Sequence, residues 1–177
     1  MKILGLDPGY AIVGYGAVEY NNSSFVPICY GAIRTKAGDI FEKRLLSIYE
    51  ELKKILQNIS PDAVAIEKLF FTSNQKTAID VAQARGVITL CATKLQVPIF
   101  EYTPLQVKQS VVGYGKAEKS QVMEMTRIIL SLKEIPKPDD AADALAVAIC
   151  HAHSAGSRLG HLRYMSEKLP TPSLEQR

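Results

Sequence analysis

Apolar residues along this chain first run together or alternate, as in strands, and later recur at helical spacing. Residues 2–7, 12–20 and 25–34 are apolar or alternating segments, separated by Asp7-Pro8-Gly9 and by Asn21-Asn22-Ser23-Ser24. Both interruptions are turn formers, so an antiparallel meander of three strands is predicted. Phe41, Leu45, Ile48, Leu52, Ile55 and Ile59 then follow at steps of three and four with Glu and Lys between them. That is the pattern of an amphipathic helix, ending near Ser60-Pro61.

Beyond this helix, DAVAIE at 62–67 reads as a short buried strand, a helix is predicted over 74–95, and VPIFEY at 97–102 supplies another strand. Thr103 before Pro104 starts a helix that Gly113 and Gly115 close, and further helices are predicted over 117–132 and 138–154. A meander followed by alternating helices and strands implies an α/β domain with a mixed five-stranded sheet and helices on both faces. One domain is expected over 1–155, with 156–177 as a loose tail in which Pro170 and Pro172 flank polar residues.

Composition narrows the class without choosing a function. With 47% hydrophobic and 22% charged residues the chain is neither disordered nor fibrous. A net charge of +3 and a pI near 8.7 permit a polyanionic partner but do not require one. Cys29, Cys91 and Cys150 are odd in number, widely spaced and set among apolar residues, which predicts buried thiols of a reducing compartment, the cytoplasm. Asp7 and Pro8 interrupt the apolar start, and nowhere do eighteen apolar residues run together, so neither secretion nor membrane spanning is expected.

Candidate chemistry lies in carboxylates attached to apolar elements. Asp7 ends the first strand and Glu67 the fourth, and in open α/β sheets sites gather at the carboxyl ends of strands. Asp140 and Asp143 stand three apart, on one face of a helix that is small and apolar almost all round. Asp before Pro-Gly is also an ordinary turn residue, and Asp in a first helical turn offsets the helix dipole, so Asp7, Asp139 and Asp140 each have a structural role open to them. Glu67 on a buried strand and Asp143 inside a buried helix have neither a cap nor a turn to satisfy. Such acids raise one another's pKa, and a divalent cation keeps them ionised; oxygen-only ligands suit Mg²⁺ or Mn²⁺.

The stretches GLDPG, GYG at 14–16, AIEKLFF at 65–71, QARG at 83–86, VKQSVVGYGKAEKSQV at 107–122 and DDAADALAVAICH at 139–151 together resemble the RuvC family of Holliday-junction resolvases. The resemblance runs in register over about residues 1–154. It implies an RNase H-like fold and a Mg²⁺-dependent endonuclease, with Mn²⁺ as a substitute and two ions per active site. The enzyme it implies works as a homodimer on four-way junction DNA, alongside the RuvA and RuvB branch-migration proteins. By motif match the catalytic, metal-binding carboxylates fall on Asp7, Glu67, Asp140 and Asp143, with Asp7 bridging; Asp139 lies on a different helix face and is left out. The same match favours Phe70 as a base-stacking wedge and Lys108 and Lys119 as phosphate contacts.

Plainer readings stand beside these. Phe70 and Phe71 could pack in the core, and Lys108, Lys116, Lys119 and Arg127 could form a solvated helix face. Ile79, Ala82, Gly86 and Leu90 mark one stripe of the 74–95 helix, a dimer face or core packing. An actin-like or sugar-kinase ATPase would need a second domain of comparable size, for which 177 residues leave no room. A non-catalytic junction scaffold, or an RNase H-like nuclease with another substrate, remains as the alternative.

Overall fold

The computed structural model describes residues 1–69 and 75–156. Strands β1 (Lys2–Asp7), β2 (Ile12–Asn21) and β3 (Ser24–Arg34) form the expected meander, and helix α1 (Phe41–Ile59) follows. Then come β4 (Ala63–Glu67), α2 (Gln75–Lys94), β5 (Ile99–Tyr102), α3 (Pro104–Val112), α4 (Lys119–Ile129) and α5 (Asp139–Gly156). The sheet order is β3-β2-β1-β4-β5, with β1 antiparallel to β2 and parallel to β4, and β4 parallel to β5. A two-residue turn at Asn22 and Ser23, both with positive φ (45° and 68°), joins β2 to β3 in the conformation that suits strand twist.

Strand alternation divides the core into two layers. Leu4, Leu6, Val13, Val64 and Ile66 face α1 and α2, whereas Ile3, Val18, Ala63, Ala65 and Phe100 face α3, α4 and α5. On the second layer α5 lies unusually close to the sheet. A Cβ at Gly5 would collide with the carbonyl oxygen of Ala144, and one at Gly14 with that of Asp140. Only glycine allows a helix backbone to approach strands this closely. Deeper in the same layer, the Tyr102 hydroxyl and His151 Nδ1 are 2.7 Å apart, and burial pushes the His151 imidazole down to about 4.

Boundaries depart from the sequence reading where local geometry is decisive. Strand β5 begins at Ile99 rather than residue 97, because Gln96 turns with φ 58°. Helix α4 starts at Lys119, not 117: the Gln121 side chain accepts from the Glu118 backbone N–H and fixes the first turn there. It ends at Ile129, ahead of Ser131 at φ 51°, and not at 132. Cys91 and Cys150 are buried, but Cys29 is only half-buried, since its strand is the sheet edge. Among the described residues no helix is long and apolar enough to cross a membrane.

Exposed apolar groups line up on α2 and on β3. On α2, Ile79 is 69% and Leu90 55% exposed, and Ala82 and Gly86 are exposed with them, so among the described residues this stripe is not core packing. On β3, Val26, Ile28 and Tyr30 are exposed along a strand whose outer edge is unpaired among the described residues, and its register against β2 shifts between Ala17 and Val18.

Because α5 rests on the bare backbone of β1, Gly5→Ala is expected to destabilise the protein by about 3 kcal/mol. Urea unfolding of the variant against the wild type measures this, and a loss below about 1 kcal/mol would mean that α5 can retreat without penalty.

Candidate active site

Four acids reach one end of the sheet by three routes. Asp7 and Glu67 occupy the last positions of parallel neighbours β1 and β4, one step beyond the Leu6–Ile66 pair. Leu6 and Ile66 point to the α1 and α2 layer, so strand alternation turns Asp7 and Glu67 toward α5. Gly14 pairs with Asp7 on β2 and admits the backbone of Asp140, which seats the first turn of α5 beside β1. Asp143 follows one turn later.

Electrostatics tie these positions together. Asp7 is pushed up to about 7 by burial first, then by Glu67, Asp143 and Asp140, while Lys119 opposes the shift. Glu67 also rises to about 7, through burial and Asp143, against Lys119 and Lys108. Burial raises Asp143 as well, and Lys119 again opposes. The Lys119 ammonium lies 2.8 Å from Asp143 Oδ2. Asp139 contributes to the negative field at Asp143 but sits outward, with its own partner in Lys137 at 3.4 Å.

Beside the acids, a cleft of about 220 Å³ opens between α3, α4 and α5. Glu67, Asp143, Lys108 and Lys119 line it with charge, and Val107 and Val122 line it with apolar surface. One sequence expectation changes here. Arg127 does not extend the basic edge: its guanidinium is held by Glu124 and by the Leu132 carbonyl. Lys119, from the first turn of α4, pairs with Asp143 of α5. The pairing had no signal in the sequence, since 24 residues and a helix boundary separate Lys119 from Asp143. Phe70 and Phe71 lie outside the described residues.

The donor chemistry suits a divalent cation, because hard carboxylate oxygens driven toward protonation by one another gain most from one. Among the described residues, however, no three Asp, Glu, His or Cys side chains form a ready-made cage.

These shifts fix a pH dependence. The unfolded chain releases the Asp7 and Glu67 protons near pH 4, whereas the folded site retains them up to about pH 7. Between these values the native state binds more protons, so raising the pH costs stability. In EDTA, Asp7→Asn is therefore expected to gain on the wild type by about 2 kcal/mol between pH 5 and pH 8. Urea unfolding at both pH values tests this, and a pH-independent difference would show that Asp7 ionises freely.

Comparison with known proteins gives this rim a context. The family model described as "Crossover junction endodeoxyribonuclease RuvC" matches residues 3–151. The crossover junction endodeoxyribonuclease RuvC of Ruminiclostridium cellulolyticum is 56% identical over 166 residues, covering 93% of this chain and all of the relative. Thermus thermophilus RuvC has a solved structure that superposes with a TM-score of 0.81 at 35% identity, covering 88% of this chain and 95% of that one. The same protein in complex with a Holliday junction substrate superposes at 0.82 over 86% and 93% of the two chains. With family-wide similarity spanning every element that builds the acidic rim, this chain belongs to the RuvC family of crossover junction endodeoxyribonucleases.

Proposed function

We propose that this chain is a metal-dependent endonuclease that resolves four-way DNA junctions by paired symmetric nicks in recombination and repair. The observation that carries the reading is the convergence of acids from β1, β4 and α5 on one rim beside two lysines, in a chain of this family. Asp7, Glu67, Asp140 and Asp143 are the proposed ligands for two Mg²⁺ ions, with Mn²⁺ as a substitute. When bound, such ions activate a water for in-line attack on a phosphodiester and stabilise the leaving oxygen. Asp7, flanked by Glu67 on one side and the α5 acids on the other, is the proposed shared ligand.

The remaining residues hold DNA. Lys108 and Lys119 line the cleft beside Glu67 and Asp143, which suits them to backbone phosphates flanking the cut. Phe70, three residues past Glu67 in sequence, is proposed to stack on an unpaired base near the crossover. Two scissile phosphates related by two-fold symmetry call for two sites, hence a homodimer. The exposed stripe of Ile79, Ala82, Gly86 and Leu90 on α2 supports an interface there. Residues 1–155 form the proposed nuclease domain and 156–177 an appended tail, whose Arg158, Arg163, Lys168 and Arg177 could meet DNA, a RuvA–RuvB partner or neither. The three free thiols are compatible with a reducing compartment, the cytoplasm.

A synthetic immobile junction and a matched linear duplex, incubated with and without Mg²⁺, test the activity. Paired symmetric nicks are expected in the junction alone, with metal, and lost in Asp7→Asn while junction binding persists. Tight binding without cleavage under Mg²⁺ or Mn²⁺ would instead mark a scaffold. Lys108→Gln is expected to reduce the slope of log K against log salt by about 0.9, and an unchanged slope removes this lysine from the phosphate contacts. Ile79→Asp is expected to halve the mass seen by light scattering, so a persistent dimer would move the interface elsewhere.

A further inference from the structure

Lys119 is the first residue of α4, and its ammonium reaches across to α5, where Asp143 Oδ2 lies 2.8 Å away. The Asp143 side chain is 23% exposed and that of Lys119 57%, so the bridge has one end in the part-buried rim and the other at the surface. The field of Lys119 extends to Asp7 and Glu67, so one lysine acts on acids from all three elements. Lys108 acts on Glu67 as well, but of the two lysines only Lys119 is paired with an acid of the rim. A divalent cation on Asp143 and an ammonium at 2.8 Å from the same carboxylate would repel one another.

We propose that Lys119 is a built-in counterion of the site, exchanged on activation: the divalent cation takes Asp143, and the released ammonium takes a phosphate of the DNA backbone. This rests on the metal-dependent reading above and adds a coupling to it. The turn that carries Lys119 is fixed by the bond from the Glu118 N–H to Gln121 Oε1, at 2.8 Å, while the side chain itself has four rotatable bonds. Exchange therefore needs a change of rotamer and no movement of α4. Because both events draw on one lysine, DNA must raise the affinity for metal by the same factor by which metal raises the affinity for DNA.

Calorimetric titration of Mn²⁺ into the wild type, Lys119→Met and Lys119→Arg, without DNA, tests the exchange. Lys119→Met is expected to bind Mn²⁺ roughly fivefold more tightly than the wild type, and Lys119→Arg about as the wild type does. Mn²⁺ is also expected to raise the melting midpoint of Lys119→Met more than that of the wild type, a readout that confirms the variant is folded. Adding a linear duplex, which the proposed activity leaves uncut, is expected to tighten Mn²⁺ binding by the wild type and not by Lys119→Met. Equal or weaker Mn²⁺ binding by Lys119→Met, or equal tightening of both proteins by duplex, would overturn the counterion role and leave the nuclease reading standing. Failure of all three proteins to bind Mn²⁺ would overturn both.

Discussion

The backbone of α5 lies against Gly5 of β1 and Gly14 of β2 at a separation that any side chain would prevent. This contact fixes more than packing. It sets the height of Asp140 and Asp143 relative to Asp7, so the spacing of the acids is decided by strand backbone on one side and helix backbone on the other. Neither surface has rotamers with which to adjust. The helix is suited to this role because Ala141, Ala142, Ala144, Ala146 and Ala148 are all buried, and small side chains let it settle without gaps.

The same arrangement concentrates charge where the fold least favours it. Burial and mutual repulsion drive Asp7 and Glu67 far above the usual carboxylate range, so the rim opposes folding near neutral pH. The two apolar layers above and below the sheet hold the acids together against this repulsion. Electrostatic strain of this kind is found where a site is prepared for something that relieves it, here positive charge. Lys119 supplies part of that charge from within the chain.

Much of this was legible in the sequence, for identifiable reasons. Strands β1 to β3 and helix α1 carry clean periodicity bounded by turn residues, and their ends fall within a residue of the pattern. Glu67 and Asp143 stood out as charges on buried elements, whereas Asp7 and Asp140 had a turn and a helix start to explain them and joined the set only through the family resemblance. What stayed hidden depends on three-dimensional neighbours. Helix α4 begins where a side chain caps it, not where apolar spacing begins. The α2 stripe has the same spacing whether it faces a core or solvent, and only the fold shows Ile79 and Leu90 outward. Lys119 and Arg127 look alike as basic residues, yet one meets an acid of the rim and the other an acid of its own helix.

Strand β3 exposes Val26, Ile28 and Tyr30 beside a row of backbone groups left open by the described residues, a combination that ordinarily invites strands of other molecules to add on. Pro27 sits within that row and has no N–H to donate, and the register slip opposite Ala17 and Val18 bends the strand. An incoming strand would meet a missing donor and a kink within a few residues. Continuation of the sheet from one molecule into the next is thereby discouraged.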